Sequence, residues 1–185
     1  NNLLADNNAF TLVIDKQEDL AGVPASIQSA ASTEAVNRKM EGKWVFTLSK
    51  PSMIPFLSYS ERRDLREKLY QAYLERCNRG DSTDNKQIVN AKLRLEKARL
   101  MGYPSYGAFA LDDEMAQTPE NAYALLDKLW QPSLELAKKE LEEMKAIKKA
   151  ETGDDSFESW DWWYYAEKVR KQKYDLNEEM LRPYL

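Results

Sequence analysis

The chain has 185 residues, 43% hydrophobic and 31% charged, with a net charge of -4 and no histidine. Within these residues it can therefore neither run imidazole acid-base chemistry nor build a histidine-ligated metal site. Lys and Arg are interleaved with Asp and Glu and form no basic stripe for phosphates, so no nucleic-acid partner is expected.

Cys77 is the only cysteine, which rules out an intrachain disulfide and a cysteine-rich zinc site. No apolar run approaches the ~20 residues that cross a bilayer, so no membrane partner is expected. Asn1 to Asp6 has neither the basic end nor the apolar stretch of a signal peptide. The chain opens without an initiator Met and stops at Arg182-Pro183-Tyr184-Leu185, which reads as a piece excised from a longer protein.

The expected fold class is mainly α, a multi-helix array with a two-stranded antiparallel sheet near 10–14 and 44–48. Phe10 to Ile14 and Trp44 to Leu48 are β-branched and apolar enough for strands that can pair as a small sheet. Between them Pro24 opens a helix over Ala25 to Met40, closed by Gly42. From Ser60 the helical period places Leu65, Leu69, Tyr73 and Cys77 on one face, with Arg62, Arg63, Glu67 and Glu75 pointing elsewhere; Asn78 and Gly80 end this helix. Asp84 with Gln87 has capping-box spacing and opens a helix with an apolar stripe of Ile88, Ala91, Leu95, Ala98 and Met101, stopped at Gly102.

Thr118-Pro119-Glu120 supplies a capping hydroxyl, a first-turn proline and an acid at the positive end of the helix dipole. Leu125, Leu126 and Leu129 follow. Pro132 falls inside the helical pattern, where it removes an amide donor, so a kink or break is expected. Leu134, Ala137, Leu141, Met144 and Ile147 then resume the spacing, with Lys138, Lys139, Glu140, Glu142 and Glu143 opposite. Gly153 to Ser156 reads as a turn, and Asp161 as the cap of a last helix reaching about Tyr174.

Chemistry-bearing features are sparse. Trp160, Trp162, Trp163, Tyr164 and Tyr165 crowd around Asp161 and point all round a helix, which favours packing between helices over a ligand groove or a contact with missing chain. Base stacking on these rings would need a cationic groove, for which Lys168, Arg170, Lys171 and Lys173 are the only candidates. Glu140 to Glu143 alternate with lysines as on a solvated helix, which outweighs a reading as carboxylates poised for metal binding or acid-base work. Cys77 lies on an apolar stripe with no base nearby to activate it, so it reads as a small buried hydrophobe.

Taken together, the chain resembles the thimet oligopeptidase and peptidyl-dipeptidase family of zinc metallopeptidases. The resemblance rests on the order of Asp19-Leu-Ala-Gly-Val-Pro24, Trp44 to Leu48, Pro51-Ser-Met-Ile-Pro-Phe-Leu-Ser-Tyr-Ser60 and Arg63-Asp-Leu-Arg-Glu-Lys-Leu-Tyr70 with Ala72-Tyr73. It continues through Asp84-Asn85, Leu93 to Glu96, Ala98, Met115-Ala116, Trp160-Asp161, Tyr164-Tyr165, Glu167-Lys168 and Leu181-Arg-Pro-Tyr184. The Leu20 to Pro24 segment leans it toward the bacterial dipeptidyl carboxypeptidase branch.

The resemblance implies a mostly helical, two-lobed parent whose deep channel admits short peptides, and whose zinc is held by a His-Glu-x-x-His helix and a later glutamate. That motif would lie beyond Leu185. Residues 1–185 are then an internal helical segment without a catalytic domain, inactive alone, in which no residue is assigned to catalysis, cofactor binding or metal binding. Its expected role is channel wall, framed by the Ser60 to Gly102 helix pair and the helix carrying Tyr164 and Tyr165. Expected partners are short peptides for the parent and the remainder of its own chain. The cytoplasm is the favoured compartment, with the periplasm open because the true N-terminus is absent. The rival reading is a self-standing helical module that binds a partner protein through the aromatic cluster.

Overall fold

The structure, a computed structural model, describes residues 2–78 and 87–175. Its elements are α1 (Asn2–Ala9), β1 (Leu12–Ile14), α2 (Ala25–Asn37), β2 (Trp44–Phe46), α3 (Lys50–Tyr59), α4 (Arg63–Leu74), α5 (Gln87–Leu100), α6 (Tyr106–Leu111), α7 (Pro119–Thr152) and α8 (Trp162–Tyr174). The mainly helical class with one small sheet is borne out. Capping by Asp84 and termination at Gly80 lie outside the described residues, as does the side chain of Ile88.

The chain forms two compact units, residues 1–84 with 141–185 and residues 85–140. In the first, β1 and β2 pair antiparallel with Leu12 opposite Phe46, Val13 opposite Val45 and Ile14 opposite Trp44. Leu12, Ile14 and Phe46 enter a core completed by Leu20, Phe56, Leu57 and Leu69. The Phe46 and Phe56 rings meet at 4.4 Å between centroids. Each such side chain contributes roughly 1.5 to 3 kcal/mol by leaving water.

Several boundaries differ from expectation for identifiable reasons. α2 stops at Asn37 instead of Met40. The Lys39 amide bonds to Val36 O and the Met40 amide to Ala35 O, both at 2.9 Å, closing a Schellman motif around a left-handed Lys39 (φ 61). The stop is thus a lysine where Gly42 was expected.

α3 has no counterpart in the periodicity reading. Pro51 sits in its first turn, where proline is tolerated, but Pro55 lies inside it, which argues against a helix locally. Burial of Met53, Phe56 and Leu57 overrides that preference. α4 is shorter than expected at both ends, and Cys77 lies beyond it in a left-handed turn (φ 56), still buried. Pro132 does not break α7, which is helical from Pro119 to Thr152.

α7 begins as expected, the Thr118 hydroxyl accepting from the Asn121 amide at 3.2 Å. Its later part buries Met144 and Lys148. The Lys148 ammonium donates to Asp154 at 2.8 Å and to the Ser156 carbonyl, tying the helix end to the turn after it. The Lys148 ammonium, with the Ser156 hydroxyl and amide, holds the Asp154 carboxyl well below the usual carboxylate range.

In the second unit α5 packs against α6. Gly102 (φ 86) closes α5 as expected, the Tyr103 amide reaching Ala98 O at 2.9 Å. Ser105 caps α6 through the Ala108 amide at 3.1 Å. Of the expected α5 stripe, Ala98 is buried, Leu95 half-buried, and Ala91 and Met101 are exposed.

The Leu20 to Pro24 loop is fixed by a close approach. Ala21 O accepts from the Glu61 amide at 3.0 Å, and Arg62 pairs with Asp19. Gly22 (φ 80) sits so near the Tyr59 carbonyl that a Cβ there would overlap it. Gly22→Ala is expected to destabilise the protein by about 2 kcal/mol or more, combining left-handed strain with the overlap. Urea unfolding checks this, and an unchanged midpoint would show that the loop does not make this approach.

Candidate functional site

The densest polar constellation joins α4 to the start of α8. Arg66 falls three residues before Leu69 and seven before Tyr73, so helical spacing turns it to the apolar side of α4. It is 2% exposed. An arginine cannot stay there unpaired, because desolvating the guanidinium costs several kcal/mol. Its partner is Asp161, at 0% exposure, in the 3₁₀ turn Ser159–Asp161 that leads into α8.

Asp161 takes every arm offered. Arg63 Nε and Nη2 reach its two oxygens at 3.0 and 2.9 Å, a bidentate fork, and Arg66 Nη2 reaches Oδ1 at 3.2 Å. The Glu158 amide donates to Oδ2 at 3.1 Å. Arg66 also donates from Nη1 to Ser60 O at 2.7 Å and from Nε to Trp160 O at 3.4 Å. The expectation that Asp161 caps α8 is corrected: its side chain makes no cap bond to that helix and reaches back to the residues before it and across to α4. Nor does Arg63 point away, as the helical wheel had it.

Burial pushes the Asp161 carboxyl up, but the Arg63 hydrogen bonds, the Glu158 amide and both guanidinium charges outweigh it and hold the carboxyl below its ordinary value. Burial dominates at Arg66 and lowers its pKa against the pull of Asp161. Arg63, at the exposed rim, is raised by its hydrogen bonds to Asp161.

The aromatic residues close over this clamp. The Arg66 guanidinium lies 4.2 Å from the Tyr164 ring centroid and Lys168 Nζ 4.6 Å from it, while Tyr164 meets Tyr165 edge-on at 5.1 Å. Lys168 is anchored by both Glu151 oxygens at 2.7 and 2.6 Å. Tyr165 is buried and Trp163 exposed, so the cluster is not enclosed on every side. Beside it runs a cleft of about 490 Å³ lined by Pro24, Tyr59, Glu61, Tyr164, Lys168 and Lys171.

This arrangement binds helices together and offers a wall of rings and charges, and it places no nucleophile beside a base. Cys77 is buried elsewhere, Glu96 is exposed, and Glu142 and Glu143 form surface ion pairs with Lys145 and Lys173. Glu143 pairs with α8, not with a lysine of its own helix as its spacing suggested. Asp84 and Asn85 lie outside the described residues. Among the described residues no group of three or more Cys, Asp or Glu side chains could hold a metal ion. The sequence reading missed Arg66, although an arginine in register with Leu69 was the available signal.

The model of peptidase family M3 matches residues 56–185. The chain belongs to peptidase family M3. It is 37% identical to organellar oligopeptidase A of Arabidopsis thaliana over 99% of its own length and 24% of that relative. Identity to the dipeptidyl carboxypeptidase of Escherichia coli is 33% over 98% of this chain and 27% of the relative. With oligopeptidase A of the same organism it is also 33%, over 100% and 28%. This M3 chain therefore spans about a quarter of the length of the curated relatives it matches, and overall identity does not separate the two bacterial branches.

Within this M3 chain, Asp161→Asn keeps the shape of the side chain and strands Arg66 as a buried unpaired charge, an expected loss of about 3 to 5 kcal/mol. Because the folded carboxyl titrates below its ordinary value of about 3.9, the stabilisation is fully present above that value. It is lost as pH falls through the lowered folded value. The stability gap between native protein and variant should therefore be constant near neutrality and narrow at acid pH. Denaturant unfolding from pH 7 down to pH 3 tests both parts.

Proposed function

We propose that the parent of this chain is a zinc peptidase acting on short peptides, releasing dipeptides from their C-termini, and that these residues form a non-catalytic part of its channel wall. The carrying observation is the similarity to dipeptidyl carboxypeptidase and to oligopeptidases over nearly the whole chain but only a quarter of each relative.

The residues present do not fit the zinc such a reaction needs. The chain has no histidine, and its described carboxylates are held in ion pairs or spread over the surface, with no cluster to ligate a metal. On this reading zinc and the water it activates belong to residues outside these 185. What this chain contributes is mechanical. The Asp161 clamp fixes α4 against the start of α8, and α8 presents Tyr164, Lys168 and Lys171 to the cleft beside Tyr59. Rings and paired charges of this kind can line a passage for extended peptides without reacting with them.

Two measurements test the reading. The purified 185-residue chain should hydrolyse no peptide above background, and robust hydrolysis would overturn the non-catalytic assignment. In the full-length protein, Tyr164→Ala with Tyr165→Ala should lower the melting temperature and change the ratio of kcat/KM between shorter and longer peptides, with zinc content unchanged. Unaltered melting and kinetics would remove these tyrosines from the wall. A reading frame without His-Glu-x-x-His would defeat the peptidase proposal itself.

A further inference from the structure

The second compact unit has almost no interior. Among the described residues of 85–140, Ala98 is the one buried hydrophobic residue. The first part of α7 shows the consequence most plainly. Tyr123, Leu126 and Trp130 fall at spacings of three and four, so they share a helix face. Their exposures are 64%, 58% and 62%. Leu125, Leu129 and Leu136 cover the adjoining face and are exposed by 60%, 55% and 58%.

An apolar surface of this breadth, two neighbouring faces of one helix, is what a helix buried among others carries, and soluble proteins rarely leave it open. The helix is otherwise well specified, with a hydroxyl cap at Thr118 and a first-turn proline, so its sequence is selected for a helix with an apolar outside.

We infer that this surface of α7 is an intramolecular docking site, covered in the parent by an apolar helical face from the part of the same polypeptide that lies outside these 185 residues. The inference deepens the family reading, because the available length comes from it: relatives aligned along this whole chain are about four times as long. The composition fits that occupant. The two faces together carry large aliphatic and aromatic side chains, and charges such as Glu120, Asp127 and Lys128 lie beside them in mixed sign, the pattern of a helix seam with a solvated edge. A folded second copy would have to bring the same open faces to a two-fold axis, and it is the competing occupant the test must separate.

Oxidative footprinting of the full-length protein, read by mass spectrometry at Trp130 and Tyr123, tests the inference, with the 185-residue chain measured alongside. Protection of both residues in the full-length protein, independent of protein concentration, together with strong modification in the 185-residue chain, is the expected result. Protection that appears only as concentration rises would assign the surface to a second copy and overturn the inference. Modification as strong in the full-length protein as in the short chain would overturn it as well, and so would protection in the short chain alone. Peptide hydrolysis and zinc content of the same full-length sample are scored separately. An inactive, zinc-free protein that still protects Trp130 would defeat the peptidase proposal and leave the docking surface standing.

Discussion

A carboxylate sealed from water between two guanidinium groups is a demanding arrangement, and the first unit is organised around it. Asp161 and Arg66 are 95 residues apart in sequence and both are buried. Neither charge is tolerable in a protein interior without the other, since each would forfeit its hydration for nothing in return. The pair therefore enforces a single docking of the Ser159–Asp161 turn on α4. Loose apolar contacts alone would tolerate several registers there.

The remaining contacts around the pair follow from its geometry. Arg66 uses its other nitrogens on Ser60 O and Trp160 O, which fixes the chain just before α4 and just before α8. Its guanidinium then meets the Tyr164 ring, which Lys168 also approaches, itself bound to Glu151 on α7. A sequence of cation, ring and anion thus runs from α4 through α8 to the end of α7. Lys148, bonded to Asp154 and the Ser156 carbonyl, holds the turn between those last two helices in the same manner. Buried charges in this unit mark the joints of the chain, and the apolar core fills the space between them.

The sequence made some of this legible and concealed the rest, for physical reasons. Strands at Leu12 and Trp44, the Thr118 cap and the Gly102 stop are local signals, and each appears where its residues imply. α3 was hidden because Pro55 speaks against a helix interior, while the force that makes one is burial of Phe56 and Leu57 against distant residues. The end of α2 was misplaced because a lysine, not a glycine, takes the left-handed position. Asp161 was visible as a helix-capping acid and Arg66 as one arginine among several. Their pairing is a tertiary fact that no window of sequence contains.

The two units also answer the question of self-sufficiency differently. The first has strands, helices and ion pairs that satisfy one another, and its buried charges find partners, Asp161 and Ser60 O for Arg66 and Asp154 for Lys148. The second spends its apolar residues outward. Sequence patterning reads both alike, because an apolar stripe on a helix says only that a face will be covered and not by what. Met144 on the later part of α7 is covered within the first unit, whereas Leu126 and Trp130 on the earlier part are exposed. That contrast falls within one helix of uniform pattern: its later apolar residues are covered by other parts of these 185 residues, and Leu126 and Trp130 are left open by them.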